Sequence, residues 1–310
     1  MKSGKRIGVD LGGTTVKIGA VNEENQIVER VTLPMDRHQP FGDAIKRIAE
    51  TVLTMGPIAC LGFGIPSTLI PGSQVIIHAN NLGWKNCDIR GELKKYMGNT
   101  PVFLANDADC AAVGEMIHGS AKNVKSCLML TLGTGIGGSY IQNGKLFLGG
   151  NGIGLEPGHM VIQDHGKPCT CGKSGCLETY ASATSLIEEA EKSYSPVLQR
   201  MILDNYGRAN AKMVFDAAAM QDEDANRILD AYIRYLAIGI SNLIAVFGPD
   251  RVVIGGGVSA AGERLFVPLQ NAVYQMVDEP ELVGCPDIVP AILGNDAGII
   301  GAAMLDKAMW

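Results

Sequence analysis

Asp10-Leu11-Gly12-Gly13-Thr14 decides the fold class, because an apolar strand, Arg6 to Asp10, runs straight into it. Val16 to Val21 reads as a second strand, Asn22 to Asn25 as a turn and Ile27 to Thr32 as a third strand. The same order returns later in the chain. Cys127 to Thr131 enters Leu132-Gly133-Thr134-Gly135, Ser139-Tyr140-Ile141 follows, Gln142 to Lys145 turns, and Leu146-Phe147-Leu148 resumes. Strand, glycine loop, strand, tight turn and strand therefore occur twice, which reads as an internal repeat. Between the copies, Phe41, Ala44, Ile45, Ile48, Ala49, Val52 and Leu53 trace one face of a helix from Phe41 to Met55, ended by Gly56-Pro57. A strand from Ala59 to Ile65 stops at Pro66, and another from Pro101 to Leu104 delivers Asn106-Asp107 at its carboxyl end. Asp224 to Phe247 is a long amphipathic helix stopped by Gly248-Pro249, and Arg251 to Ile254 is a buried strand opening into Gly255-Gly256-Gly257. Strands alternating with helices make the chain α/β.

A chain of 310 residues has room for one large domain or two lobes. Apolar residues at 46% and charged residues at 19% are ordinary for a globular enzyme. The net charge of -6 argues against a broad nucleic-acid-binding face, so no nucleic-acid partner is expected. The basic start, Met1 to Arg6, precedes an apolar stretch that Asp10 and Lys17 interrupt, so it does not read as a secretion signal. No uninterrupted apolar run reaches membrane-spanning length, so no membrane partner is expected. Cys60, Cys87, Cys110, Cys127 and Cys285 are scattered, whereas Cys169, Cys171 and Cys176 crowd together. That uneven distribution suits a reducing cytoplasm with one metal site better than a disulfide framework.

Glycine turns after strands let backbone N–H groups approach an anion closely, since no Cβ stands in the way. At Gly12-Gly13-Thr14, Thr14 adds a hydroxyl and Lys17 a cation, and Asp10 could hold Mg²⁺ directly or through water. The bland alternative is a plain hairpin turn. Gly133 to Gly138 contains the spacing of a dinucleotide fingerprint, but that fingerprint requires a helix next, and a strand follows here. A second phosphate-binding hairpin is the better reading. Asn106-Asp107 can be a helix N-cap, or its aspartate can accept the proton of an attacking hydroxyl. Cys169, Cys171 and Cys176 leave one vacancy in a tetrahedral Zn²⁺ site, for which His159 is the candidate and His165 the rival. Such a site would be structural, and it would hold Glu156 and Glu178 in one place to meet the hydroxyls of a sugar. His78 to Trp84 reads as a loop whose amides and indole could contact carbohydrate.

Together these stretches closely resemble the ROK family of the actin-like and hexokinase-like ATPase superfamily, most of all its bacterial glucokinase branch. The likeness is carried by Asp10 to Thr14 with Lys17, Gly62 to Pro66, Asn81 to Trp84, Asn106-Asp107, Leu132 to Gly138, Glu156 to His159, Cys169 to Glu178 and Gly255 to Val258. The resemblance implies a two-lobed actin-like ATPase fold of duplicated ribonuclease-H-like halves, with an active-site cleft between lobes. Residues 1–118 with a C-terminal helix at about 297–310 would form the small lobe, and 119–296 the large lobe with the zinc site. It also implies Asp107 as general base, with Asn81, Asn106, Asp107, Glu156, His159 and Glu178 binding the sugar. Asp10, Gly12, Gly13, Thr14, Lys17, Thr134 and Gly135 would serve the phosphates and magnesium, and Gly255, Gly256 and Gly257 the adenosine. His159, Cys169, Cys171 and Cys176 match the structural zinc ligands.

The expected activity is ATP-dependent phosphorylation of a hexose at its 6-hydroxyl, glucose first, with Mg²⁺ and structural Zn²⁺, in a cytoplasmic homodimer. N-acetylmannosamine, N-acetylglucosamine, fructose and allose are alternative substrates, because one hydroxyl separates many sugars. Ser67 after Pro66 and Ser139 after Gly138 depart from the glycines that relatives often carry, and the first bears on sugar preference. A sugar-responsive regulator is the reading from another class. Family regulators carry a helix-turn-helix before the first glycine loop, and only nine residues precede Asp10 here.

Overall fold

The computed structural model describes residues 4–36, 38–69, 75–79, 82–150 and 152–309. In chain order its elements begin with β1 (Lys5–Leu11), β2 (Thr15–Val21), β3 (Ile27–Pro34), α1 (Phe41–Thr54) and β4 (Ile58–Ile65). Three short strands follow, β5 (Thr68–Leu69), β6 (Val75–Ala79) and β7 (Trp84–Asp88), then α2 (Ile89–Met97), β8 (Val102–Asn106) and α3 (Asp107–His118). The second half opens with β9 (Ser126–Leu132), β10 (Ile136–Gln142) and β11 (Lys145–Leu146). Helices α4 (Glu178–Ala181), α5 (Ala183–Lys192), α6 (Pro196–Asp204), α7 (Ala211–Ala219) and α8 (Glu223–Phe247) come next. The chain finishes with β12 (Arg251–Gly255), α9 (Glu263–Tyr274), α10 (Pro280–Val283), β13 (Asp287–Pro290), α11 (Ala297–Ala303) and α12 (Leu305–Ala308). Contacts sort the chain into two compact units: Met1–Cys127 with Ser139–Leu155 and Ile292–Trp310, and Leu128–Gly138 with Glu156–Ala291.

The repeat read from the sequence is present as topology. One sheet has the order β3-β2-β1-β4-β8 and the other β11-β10-β9-β12-β13, the same arrangement strand for strand. In the first, β1, β2 and β3 are antiparallel neighbours while β4 and β8 run parallel to β1, so the ends of β1, β4 and β8 open at one edge. In the second, β10 and β11 are antiparallel and β12 and β13 parallel. Carboxyl ends of parallel strands are where α/β sheets gather ligand-binding residues.

Alternation along β1 puts Ile7, Val9 and Leu11 into the core. Its other face carries Gly8, where a Cβ would lie 1.9 Å from the Ile299 carbonyl oxygen, and Gly62 on β4 meets Ala302 in the same way at 1.8 Å. Two missing side chains thus let α11, which comes from the far end of the sequence, lie directly on the first sheet. Helix α1 buries the expected stripe Ala44, Ile45, Ile48, Ala49 and Val52, but Leu53 is 50% exposed and belongs to the outer face. The Trp84 indole is a correction of larger consequence. It begins β7, is only 4% exposed and packs edge-on against Phe41 at 5.0 Å, so it is core and not a carbohydrate platform.

Helix α8 starts one residue earlier than expected, because the Asp222 side chain accepts from the Ala225 N–H, and Gly248 ends it in the left-handed region at φ 53°. By length and composition it is the one described helix that could cross a membrane. Instead α4, α5, α7 and α9 pack around it, with Tyr232, Leu236 and Ile240 buried. Strand β10 begins at Ile136, so Gly137 and Gly138 lie within a strand and the second glycine loop is short. A Cβ at Gly138 would meet Pro157 at 2.5 Å, so this glycine serves packing. Strand β11 ends at Leu146, before the expected Leu148.

Candidate active site

The first glycine turn is closed by the Gly12 N–H donating to the Thr15 carbonyl at 2.9 Å. Cross-strand register sets Asp10 opposite Lys17, and Lys17 Nζ lies 3.4 Å from Asp10 Oδ2 and 3.4 Å from Asn295 Oδ1. Behind Asp10, a Cβ on Gly298 would be 3.1 Å from the carboxyl carbon, so α11 backs directly onto this side chain. Sequence reasoning gave Asn295 and Gly298 no role. Their only local signal is the glycine-punctuated turn Gly294 to Gly298.

Strand β8 pairs with β4 so that Asn106 stands beside Ile65. Asn106 is the N-cap of α3, its Oδ1 accepting from the Ala108 N–H at 2.8 Å, and its Nδ2 reaches the Ser67 carbonyl at 3.5 Å. The capping reading and the ligand reading are compatible, since the cap is what aims the next residue. Asp107 is exposed at the first position of α3, and its Oδ1 accepts from the Ala108 N–H at 3.0 Å. Solvent reaches this carboxylate, yet surrounding protein displaces enough water to raise its pKa above the ordinary aspartate value. The negative charge of Asp10 adds to the rise and the Ala108 N–H opposes it.

In the other unit, Gly133 N–H donates to the Gly135 carbonyl at 3.0 Å. The start of α5 buttresses this second loop: the Ala183 N–H donates to the Gly133 carbonyl at 2.8 Å and Thr184 Oγ1 to the Thr134 carbonyl at 2.7 Å. Gly256, at φ 85°, passes so close to Leu132 that a Cβ would lie 2.3 Å from its carbonyl oxygen. The Gly255 to Gly257 stretch and the second glycine loop are therefore neighbours. A pocket of about 590 Å³ opens beside Thr134 and Gly135, walled by Glu178, Ser182, Thr184 and Lys167 among others.

His159, Cys169, Cys171 and Cys176 converge, with their ligand atoms within 4.8 Å of one another. The hairpin that holds them bridges Val161 to Cys176 and Pro168 to Ser174. Gly175 at φ 82° has no room for a side chain, since a Cβ would lie 1.8 Å from the Gln163 carbonyl oxygen. Cys171 Sγ to Cys176 Sγ and Cys169 Sγ to His159 Nδ1 are both 3.6 Å, close to the edge of a tetrahedron built on ~2.0–2.3 Å metal bonds. His165 is almost fully exposed and stands outside the group. Burial pushes the Cys176 thiol up to about 12 and raises Cys169, while the Lys173 N–H lowers Cys171. A cation bound among them would favour the thiolate form of all three.

Glu178 joins this knot to the second loop. Its Oε1 is 3.2 Å from Cys169 Sγ and 3.5 Å from His159 Nδ1, and its Oε2 would be 2.7 Å from a Cβ at Gly135. Glu156 is exposed and opens the 3-10 turn Pro157–His159, its carbonyl accepting the His159 N–H at 3.1 Å. The structure thus brings Asp10, Lys17, Asn106 and Asp107 to one edge of the first unit. In the other, Glu156, His159, Glu178, Thr134 and Gly135 share one neighbourhood. Asn81 lies outside the described residues.

A family model described as ROK matches residues 6–309. A glucokinase of Thermotoga maritima is 39% identical over 98% of this chain and 97% of that protein. A ROK family glucokinase from Streptomyces griseus, solved with glucose and AMPPNP, superposes with a TM-score of 0.80 at 29% identity, covering 97% of this chain and 99% of that one. A ROK hexokinase from Thermus thermophilus gives 0.83 at 30%, covering 98% and 97%. With the doubled strand order, these likenesses give the chain a mixed α/β, two-lobed actin-like ATPase fold.

Proposed function

The chain belongs to the ROK family, and from that premise we propose that it is an ATP-dependent glucokinase making glucose 6-phosphate. Asp107 is the general base: it takes the proton of the 6-hydroxyl as that oxygen attacks the γ-phosphorus and the bond to the β-phosphate oxygen breaks. The observation that carries this reading is the placement of Asp107 at the start of α3, directly after β8, on the same sheet edge as the Asp10–Lys17 pair; the Asp10 charge adds to the burial that raises the Asp107 pKa. Asp10 would hold the magnesium of MgATP, which neutralises charge on the phosphates when bound. Lys17 and the N–H groups of Gly12, Gly13 and Thr14 would contact the phosphates, as would Thr134 and Gly135. Gly255 to Gly257 would border the adenosine.

Asn81, Asn106, Glu156, His159 and Glu178 would bind the sugar hydroxyls. The thiolate and imidazole donors suit Zn²⁺, which would organise this wall without entering the reaction. His159 turns Nδ1 toward the thiols, and with Zn²⁺ on that nitrogen its Nε2–H would be left to donate to a sugar hydroxyl. A cytoplasmic homodimer completes the reading, and light scattering of the purified protein checks the dimer. The deciding experiment follows ADP release across glucose, fructose, allose, N-acetylglucosamine and N-acetylmannosamine. Glucose is expected to give the highest kcat/KM, and a higher value for any other sugar would replace it as the substrate.

A further inference from the structure

Glu115 is a buried charge that the chemistry above leaves unused. It is 0% exposed, near the end of α3, and no cation lies within ion-pair distance of it among the described residues. Both carboxylate oxygens serve as acceptors: Oε2 takes the Ser120 N–H at 2.7 Å and Oε1 takes the Leu293 N–H at 2.9 Å. Gly119 makes room for this, because a Cβ there would sit 2.0 Å from Oε2. Removing a carboxylate from water is costly, and an apolar residue would avoid the cost. What the carboxylate gains is a bond between segments far apart in sequence.

Those segments lead to the reacting groups. Helix α3 begins with Asp107, and Leu293 leads through the turn Gly294–Asp296 into α11, whose Gly298 backs Asp10. The two helices are pressed together along their length: a Cβ at Gly114 would lie 2.4 Å from the Ala297 carbonyl oxygen, and one at Gly301 1.6 Å from that of Cys110. We propose that Glu115 is a positioning residue for phosphoryl transfer, fastening the approach to α11 onto α3 and so fixing Asp10 relative to Asp107. The inference rests on the roles given to those two aspartates under Proposed function. Loosening the fastening misplaces the magnesium ligand against the base and leaves the sugar-binding side chains alone.

Two variants weaken the fastening from opposite ends: one takes an acceptor from Glu115, the other takes the Leu293 donor. Glu115→Gln keeps the volume but can no longer accept from both backbone donors. Leu293→Pro removes the N–H at a residue whose φ of -80° a proline tolerates. Each is expected to lower kcat by about 10- to 100-fold while KM for glucose stays within about twofold, because misplacement acts on the reacting geometry. The double variant should be no worse than the worse single one, since once the Leu293 donor is gone the remaining amide oxygen can still accept from the Ser120 N–H. Unchanged kcat in a folded single variant, multiplying effects in the double, or kcat and glucose KM failing together with the melting temperature would overturn the proposal. If Glu115→Gln does not fold, Leu293→Pro decides alone. A parent protein without glucose-dependent ADP release would defeat the glucokinase reading instead, which keeps the two failures apart.

Discussion

The two glycine loops occupy the same place in two copies of one strand order, yet they are built differently. Ahead of the first loop stands Asp10, with Lys17 across from it and α11 pressed behind. Ahead of the second, the matching position is Thr131, and where the first copy has Lys17 the second has Gly138, packed on Pro157. The second loop is instead held at its own backbone, by the Ala183 N–H and the Thr184 hydroxyl of α5, with Gly256 close by. Duplication has preserved the turn and divided the labour. The first copy carries charged side chains at its turn and, in the proposed reading, the base lies in the same unit, while the second turn is left with backbone groups.

The sharpest way to break that division is to remove the base. Asp107→Asn should cost about 10²–10⁴-fold in kcat with glucose affinity retained, read by steady-state kinetics and calorimetry; near-parental turnover would take Asp107 out of the chemistry. Chelating the metal, or changing Cys171 to Ser, should lower Tm by about 5–10 °C and weaken glucose binding, because the knot seats His159 and Glu178. An unaltered Tm and glucose affinity after verified metal removal would show that the second unit does not depend on it. The smallest effect is expected at Gly135→Ala. Its new Cβ meets the flexible end of Glu178, so KM for glucose and ATP should both rise by about tenfold or less with kcat nearly kept. A change in ATP KM alone would mean that Glu178 does not link loop and sugar.

The parts legible in the sequence were those with local causes. Proline and glycine punctuation and alternation gave the strands and the repeat, and the crowded cysteines pointed to the cluster that His159 completes. Three features escaped because they depend on distant chain segments. The burial of Trp84 is set by Phe41, more than forty residues earlier in the chain. Gly298 matters only because α11 returns from the C-terminal end to lie on Gly8 and Gly62. Glu115 resembles any helical glutamate until Leu293 arrives to meet it. Spacing cannot reveal partners nearly two hundred residues apart.

The account turns on Asp10 and Asp107 acting as an electrostatically coupled pair in the first unit. Titrating the Asp107 carboxyl carbon by NMR in the ligand-free parent and in Asp10→Asn tests this directly. Burial and repulsion both raise the parent value, so removing the Asp10 charge should move the Asp107 pKa down and extend its ionised range to lower pH. An Asp107 that titrates at the ordinary aspartate value in the parent, or whose pKa is the same in both proteins, would contradict it.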